Sequence, residues 1–125
     1  EPIAVQAAAK MIVSEDIKSS ENMINKALMV LAEQGVCAFA LFLASRKRPQ
    51  DIVARDAIHE AIGDLLGQSK LGELASSLNV EEYKQLTQVG SEEDELAALQ
   101  RLLLTKQLME TALTYGRYQA KAQAA

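Results

Sequence analysis

Residues 23–49, MINKALMVLAEQGVCAFALFLASRKRP, decide the fold class of this chain. The first half of this stretch repeats apolar residues at the i, i+3, i+4, i+7 spacing of one helical face, which predicts an amphipathic helix over 21–33. The residues of that face are Ile24, Ala27, Leu28 and Leu31. Gly35 follows directly and is well placed to end the helix in a left-handed cap.

The second half, Val36–Ser45, is apolar on every side up to Ala44. Periodicity alone cannot distinguish a buried strand from a buried helix in a run of nine apolar residues. Three alanines, two leucines and two phenylalanines favour a helix, and no second strand candidate exists to pair with it. We therefore predict that this segment is the central and most buried helix, closed by Pro49.

Further helices are predicted on both sides of this stretch by the same spacing rule. They cover 3–13, 50–66, the short segments 71–78 and 80–88, and a long last helix from Ser91 to about Gln119, after which the alanine-rich end frays. Asn79 is a predicted N-cap with Glu82 in a capping-box position, and Ser91 and Asp94 have the same spacing. The predicted inner face of the last helix comprises Leu99, Leu102, Leu103, Met109, Leu113 and Gly116.

Composition agrees with an all-α domain. Alanine and leucine together supply 37 of the 125 residues, and both are strong helix formers. The length suits one domain over 1–125, so we predict a compact bundle of six or seven helices with a long C-terminal helix. A single cysteine excludes an internal disulfide, and an apolar run of nine residues is far short of the about 20 that span a membrane. We expect a cytoplasmic protein.

No combination of residues predicts catalysis. His59 is the only histidine, and Gly63 stands where a zinc protease needs its second histidine. We expect His59 on a helix surface or at its rim, Cys37 as a small core residue, and no catalytic pair between them. Gly63, Gly67 and Lys70 lack the spacing and the preceding strand of a phosphate-binding loop. The chain is therefore predicted to be no enzyme, with no cofactor, metal or small-molecule substrate.

Residues 71–88 echo the apolar pattern of a DNA-binding helix-turn-helix. The second helix would present Glu81 and Glu82 to the phosphates, which repel them, and Lys84 alone does not compensate. A DNA-binding regulator that uses this segment is one alternative function, and a helical adaptor that binds only proteins is another.

A basic cluster stands out against the net charge of −4. Arg46, Lys47 and Arg48 are consecutive, and Arg55 follows about two helical turns into the next helix. Cations stabilise a helix C-terminus, but one or two suffice for that role. Weaker candidates recur at spacings of eight residues, namely Lys10, Lys18 and Lys26. These seven cations are the candidates for contact with nucleic-acid phosphates.

The order of these features resembles the small all-helical subunit of the type III-B (Cmr) CRISPR effector complex. Gln34-Gly35-Val36 is similar to the Asn-Gly-Leu that ends the matching helix in that family, and Phe42-Leu43 follows at the family's distance. A short basic stretch comes next, and Glu81-Glu82-Tyr83 looks like the family's acidic-Glu-Tyr step. The chain departs from the family pattern at Cys37, Ala38 and Phe39, and in the extra helix predicted over 71–78.

The resemblance implies a structural role. Small subunits of this family stack head to tail beside the backbone subunits that carry the guide RNA, and the backbone subunits cut the target RNA. The implied partners are those subunits, further copies of this chain, and the guide–target RNA duplex. Arg46, Lys47 and Arg48 are then the first candidates for RNA contact, from their charge alone. The free chain is expected to bind RNA poorly.

Overall fold

Six helices and no strand make up the part of the chain that the computed structural model describes, residues 2–13, 16–88 and 94–124. The helices are α1 (Pro2–Lys10), α2 (Ile17–Gln34), α3 (Val36–Ser45), α4 (Pro49–Gln68), α5 (Val80–Gln85) and α6 (Glu95–Ala124). The predicted compact all-α fold and its long last helix are confirmed. Among these described helices, none has both the length and the apolar character needed to cross a membrane.

Side-chain caps set where α2 and α6 begin. The Asp16 carboxylate accepts a hydrogen bond from the Ser19 amide at 3.1 Å, so α2 starts one turn before the predicted 21–33 helix. Asp94 accepts from the Ala97 amide at 2.7 Å in the same way. Ser91, the predicted cap of the last helix, lies outside the described residues. The frayed end predicted from Ala120 is wrong, because α6 is helical to Ala124 and Ala120 is buried.

The turn from α2 into α3 requires a glycine. Gly35 has φ +97°, a conformation that L side chains rarely adopt, and this single residue both ends α2 and precedes α3. The Gly35 amide donates to the Leu31 carbonyl at 3.0 Å, so the last turn of α2 is closed. The predicted helix end at Gly35 is therefore confirmed.

The core lies where α6 packs along α1 and α2, and where α4 packs against the same two helices. The inner face of α6 is made largely of small residues, which lets the helices approach closely. A Cβ added at Gly116 would lie 3.2 Å from the Met11 sulfur and 3.5 Å from Ile24 Cδ1. The buried residues of α6 are Ala98, Thr105, Met109, Ala112, Leu113, Gly116 and Ala120.

The prediction that α3 is the most buried helix holds by fraction, since four of its ten residues are buried against seven of the twenty in α4. Its predicted central position is wrong, because α3 packs on α2 and α5 at the side of the core and leaves Leu41 57% exposed. Tyr83 of α5 covers the inner side, with its ring centroid 5.9 Å from that of Phe39.

The helix predicted over 71–78 does not form. This connection between α4 and α5 is tied to the helices that follow and precede it. The Ala75 amide donates to the Glu82 carboxylate at 3.0 Å, and the Ala75 carbonyl bonds His59 Nε2 at 2.8 Å. Asn79 caps α5 as predicted, with its side chain accepting from the Glu81 amide at 3.0 Å. The capping-box role of Glu82 is wrong, because its carboxylate is used on Ala75.

Candidate nucleic-acid interface

Three of the seven candidate cations lie on one small cleft between α2 and the turn from α3 to α4. We call it the basic cleft. Its volume is about 60 Å³. It is lined by Ser19, Asn22, Met23, Lys26, Arg46, Arg48 and Asp51. The structure thus brings Lys26 of α2 together with Arg46 and Arg48 of the α3–α4 turn.

The turn between α3 and α4 positions the two arginines of the basic cleft. Arg46 is the C-cap of α3, and its guanidinium lies 4.9 Å from the centre of the Phe42 ring, which is cation–π geometry. Its Nε and Nη2 each lie 3.3 Å from the Ser45 hydroxyl. Arg48 is the N-cap of α4, and its Nε lies 3.1 Å from Asp51 Oδ2. Arg46 is therefore held by its own helix, whereas Arg48 is 71% exposed.

Three of the candidate lysines, two on α2 and one in the α3–α4 turn, are exposed. Lys26 lines the cleft from α2, and Lys18 lies about two turns earlier on the same helix without lining it. Lys47 is exposed between the two cleft arginines. The predicted eight-residue repeat therefore contributes one lysine to the cleft.

Arg55 of α4 reaches the C-terminal end of α3 and does not line the basic cleft. Its Nη1 donates to the carbonyl oxygens of Leu43, Ala44 and Arg46, at 3.2, 3.3 and 2.9 Å. These carbonyls close the C-terminus of α3, where a helix leaves its last acceptors without internal partners. The Arg55 side chain is 18% exposed. Its role in the structure is to cap α3 from α4.

Lys10 is also engaged elsewhere. Its Nζ lies 2.6 Å from Asp64 Oδ2, and this ion pair joins the end of α1 to α4. Both side chains are about half exposed. Lys10 does not line the basic cleft.

A cavity of about 650 Å³ lies between α4 and the 71–79 connection. The prediction that His59 is a surface residue is wrong, because His59 is 1% exposed at the back of this cavity. Its Nε2 donates to the Ala75 carbonyl and its Nδ1 accepts from the Tyr83 hydroxyl, both at 2.8 Å. Burial raises the pKa of that Tyr83 hydroxyl well above its usual value. Both imidazole nitrogens are thus committed to protein partners.

Cys37 and His59 do not meet. The Cys37 sulfur lies 3.9 Å from the Thr87 hydroxyl instead. Within the ranges that the structure describes, no group of three or more histidine, cysteine and carboxylate side chains could hold a metal ion. The helix-turn-helix interpretation of 71–88 also lacks its first helix, which leaves the six residues of α5 alone.

A ridge of exposed leucines was missed by the sequence analysis. Lys106 Nζ lies 3.3 Å from the Ala32 carbonyl, so α2 ends beside this point of α6. The part of α6 before Lys106 therefore extends about 15 Å beyond α2, at about 1.5 Å per residue. The leucine ridge consists of Leu96, Leu99, Leu103 and Leu104, each half or more exposed.

The ridge corrects the predicted inner face of the last helix. Leu99 and Leu103 were expected in the core, but Ala98 and Thr105 face inward at this end of α6. A signal for this was present in the sequence, since Leu102, Leu103 and Leu104 are consecutive and span about 200° of the helix, which is wider than one face packed on a core.

No protein-family model, curated protein or solved structure matches this chain. The basic cleft and the leucine ridge are therefore the observations from which a function is argued.

Proposed function

We propose that this chain is a non-catalytic helical subunit of a cytoplasmic ribonucleoprotein, the small subunit of a type III-B CRISPR effector complex that targets foreign RNA. The observation that carries the proposal is the leucine ridge. Contiguous exposed apolar patches on a soluble protein mark surfaces that another molecule covers. Four leucines on the outer side of one helix end are such a patch.

The energetics favour a protein partner for the ridge. Fully burying a leucine is worth about 1.5–3 kcal/mol, so covering the exposed half of each contributes about 1 kcal/mol. Asp94 and Glu95 lie at the start of the same helix and are exposed. The expected partner surface is apolar, with cations opposite these two carboxylates, as a neighbouring subunit of an assembly can provide.

The basic cleft supports contact with RNA inside such an assembly. Phosphate contacts made by lysine and arginine supply most of the affinity for nucleic acid. The chain as a whole carries a net charge of −4, which opposes binding of a long RNA by the free subunit. A few local cations therefore act best when other subunits hold the RNA in place.

A non-catalytic role is consistent with the contacts of the histidine and the cysteine. Both His59 nitrogens bond to protein atoms, and Cys37, which is half-buried and not in the core as predicted, lies beside a threonine hydroxyl. A helical adaptor that binds only proteins would use the ridge equally well. Cross-linking of RNA to residues 46–48 distinguishes this adaptor from the proposed subunit.

Co-purification tests the proposal. The chain is co-expressed with the backbone subunits of a type III-B complex and a guide RNA, and it is expected to elute with them. Leu99→Ser combined with Leu103→Ser is expected to abolish co-elution without unfolding the chain, because both side chains are about half exposed. Leu41→Ser on α3 is the matched control, since Leu41 is equally exposed outside the ridge.

Two results would contradict the proposal. If the wild-type chain does not co-elute with the backbone subunits, the assembly role is contradicted. If the ridge variant and Leu41→Ser lose co-elution equally, the ridge is not the surface that binds the assembly. Co-elution that is indifferent to RNA, with no ultraviolet cross-link from RNA to residues 46–48, supports the adaptor instead.

A further inference from the structure

We infer that the basic cleft binds one phosphate group that carries two negative charges, either the terminal phosphate of an RNA strand or free phosphate. The inference rests on the proposed function only in naming RNA as a source of this group. It is carried by the size of the cleft, its charge balance and the hydrogen-bond donors left free in it.

The size of the cleft admits a small ligand. Its volume is about 60 Å³, whereas one water needs only about 10–15 Å³ by the same measure. A tetrahedral oxyanion can therefore lie among its cations. The charges of the cleft, and not its size, distinguish a phosphate from a nucleobase.

The charge balance of the cleft favours a dianion. Lys26, Arg46 and Arg48 contribute three positive charges, and Asp51 is the single carboxylate that lines the cleft. Asp51 compensates one of them through its 3.1 Å contact with Arg48. Two positive charges remain. A phosphate monoester carries a charge of about −1.5 to −2 at neutral pH, whereas a phosphodiester within a strand carries only one.

Free donors are present on arginines that are already positioned. Arg46 donates Nε and Nη2 to Ser45, and its carbonyl is fixed by Arg55 at 2.9 Å. Arg48 donates its Nε to Asp51. Within the described residues, the other guanidinium N–H groups of these two arginines have no protein acceptor. Arginine pairs with phosphate through such parallel N–H groups.

Asp51 gives the inference a test in the opposite direction. Its carboxylate competes with a bound phosphate for Arg48, and its negative charge repels the ligand. Asp51→Asn removes the charge, frees Arg48 and is therefore expected to tighten phosphate binding. If the cleft charges face only solvent and bind no phosphate, Asp51→Asn would not increase the affinity for phosphate.

The first experiment titrates the full-length ¹⁵N-labelled chain with inorganic phosphate at constant ionic strength, with chloride as the balancing anion. Saturable amide shifts are expected in residues 19–26 and 46–51. Lys26→Gln is expected to weaken the affinity about three- to fivefold, which is one exposed charge interaction. Asp51→Asn is expected to strengthen it by about the same factor.

Lys18→Gln is the matched control, because Lys18 is an exposed lysine on the same helix that does not line the cleft. Its affinity for phosphate is expected to equal that of the wild type. Absent saturation, equal weakening by Lys26→Gln and Lys18→Gln, or no gain from Asp51→Asn would each overturn the inference.

The second experiment separates the sources of the phosphate. Oligoribonucleotides of one sequence, with a 5′-phosphate or a 5′-hydroxyl, are compared with a nucleoside monophosphate. The phosphorylated strand is expected to bind about fivefold more tightly than the hydroxyl strand. Equal binding of the two strands would contradict a dianion site. Preference for the monophosphate over both strands would identify a free ligand as the source.

The two proposals can fail separately. Loss of co-elution with the effector subunits, with phosphate binding intact, overturns the assembly role alone. Intact co-elution without saturable phosphate binding overturns the phosphate site alone.

Discussion

The capping role of Arg55 can be tested sharply, because the sequence made this arginine a candidate for RNA contact and the structure shows it bound to the end of a helix. Its Nη1 reaches three carbonyl oxygens at the end of α3, at distances from 2.9 to 3.3 Å. Arg55→Ala removes the donor and, within the described residues, leaves the Ala44 and Arg46 carbonyls without a protein partner, while the Leu43 carbonyl keeps the Arg46 amide at 3.2 Å. The prediction is a large loss of stability with no direct loss of RNA contact.

The magnitude follows from the geometry. A hydrogen bond to a charged donor contributes about 1.5–3 kcal/mol, and two N–H groups on Nη1 serve the three acceptors. Water can replace part of this, because the side chain is 18% exposed. We expect the free energy of unfolding to fall by about 2–4 kcal/mol in Arg55→Ala. Arg48→Ala breaks only an exposed ion pair and should cost about 0–1 kcal/mol.

Urea denaturation followed by circular dichroism measures both variants, and Arg55→Lys should recover part of the loss because an ammonium still donates. At low urea, where Arg55→Ala remains folded, its cross-linking to RNA within the assembly should equal that of the wild type. A cost below about 1 kcal/mol, similar to that of Arg48→Ala, would refute the reasoning and return Arg55 to the surface cations.

Three further predictions concern the core and the caps. Tyr83→Phe removes the hydroxyl that donates to His59 and should cost about 1–3 kcal/mol in urea denaturation, since a buried acceptor loses its donor. Burial raises the pKa of Tyr83, so above about pH 10 the unfolded chain holds fewer protons than the folded one. The free energy of unfolding of the wild type should therefore fall by up to about 1.4 kcal/mol per pH unit. Tyr83→Phe should lack this slope. The hydrogen bonds from Ser19 lower the pKa of Asp16. The stability that this carboxylate contributes is therefore present at neutral pH and is lost as the pH falls through its folded pKa. Asp16→Ala should lower the melting temperature at pH 7, and the melting temperatures of variant and wild type should converge in acid. Gly116→Val places a branched side chain where even a Cβ would lie 3.2 Å from a methionine sulfur, and calorimetry should show a loss of about 1–3 kcal/mol, which full retention of the melting temperature would contradict.

Apolar spacing predicted α2 and α4 because each buries a broad face along a long helix. It failed over 71–78, where distant atoms decide the conformation. The amide and carbonyl of Ala75 bond to Glu82 and His59, which are seven and sixteen residues away. No local propensity encodes these pairings. For the same reason His59 was placed at the surface, since its burial depends on a hydroxyl carried by a different helix.

The sequence located the basic cleft only in part. Consecutive arginines at 46 and 48 indicated a local cluster, and the structure brings both to one cleft. The eight-residue repeat could not separate Lys26 from Lys18, because the position of α2 relative to the α3–α4 turn decides which lysine reaches it. The capping role of Arg55 was not predicted, because the carbonyls that it caps lie nine to twelve residues earlier, at the end of another helix.

The leucines of α6 show why composition and function have to be argued together. Close contact with α1 and α2 admits Ala112 and Gly116 on the inner face, so the core of the chain does not need every leucine that the sequence supplies. The surplus stands on the end of α6 that extends beyond α2, as Leu99 and Leu103 do. The exposed halves of these leucines contribute nothing to folding the free chain and lower its solubility. Their stabilising contribution is realised when a second protein covers them, and this is why the ridge carries the proposed assembly role.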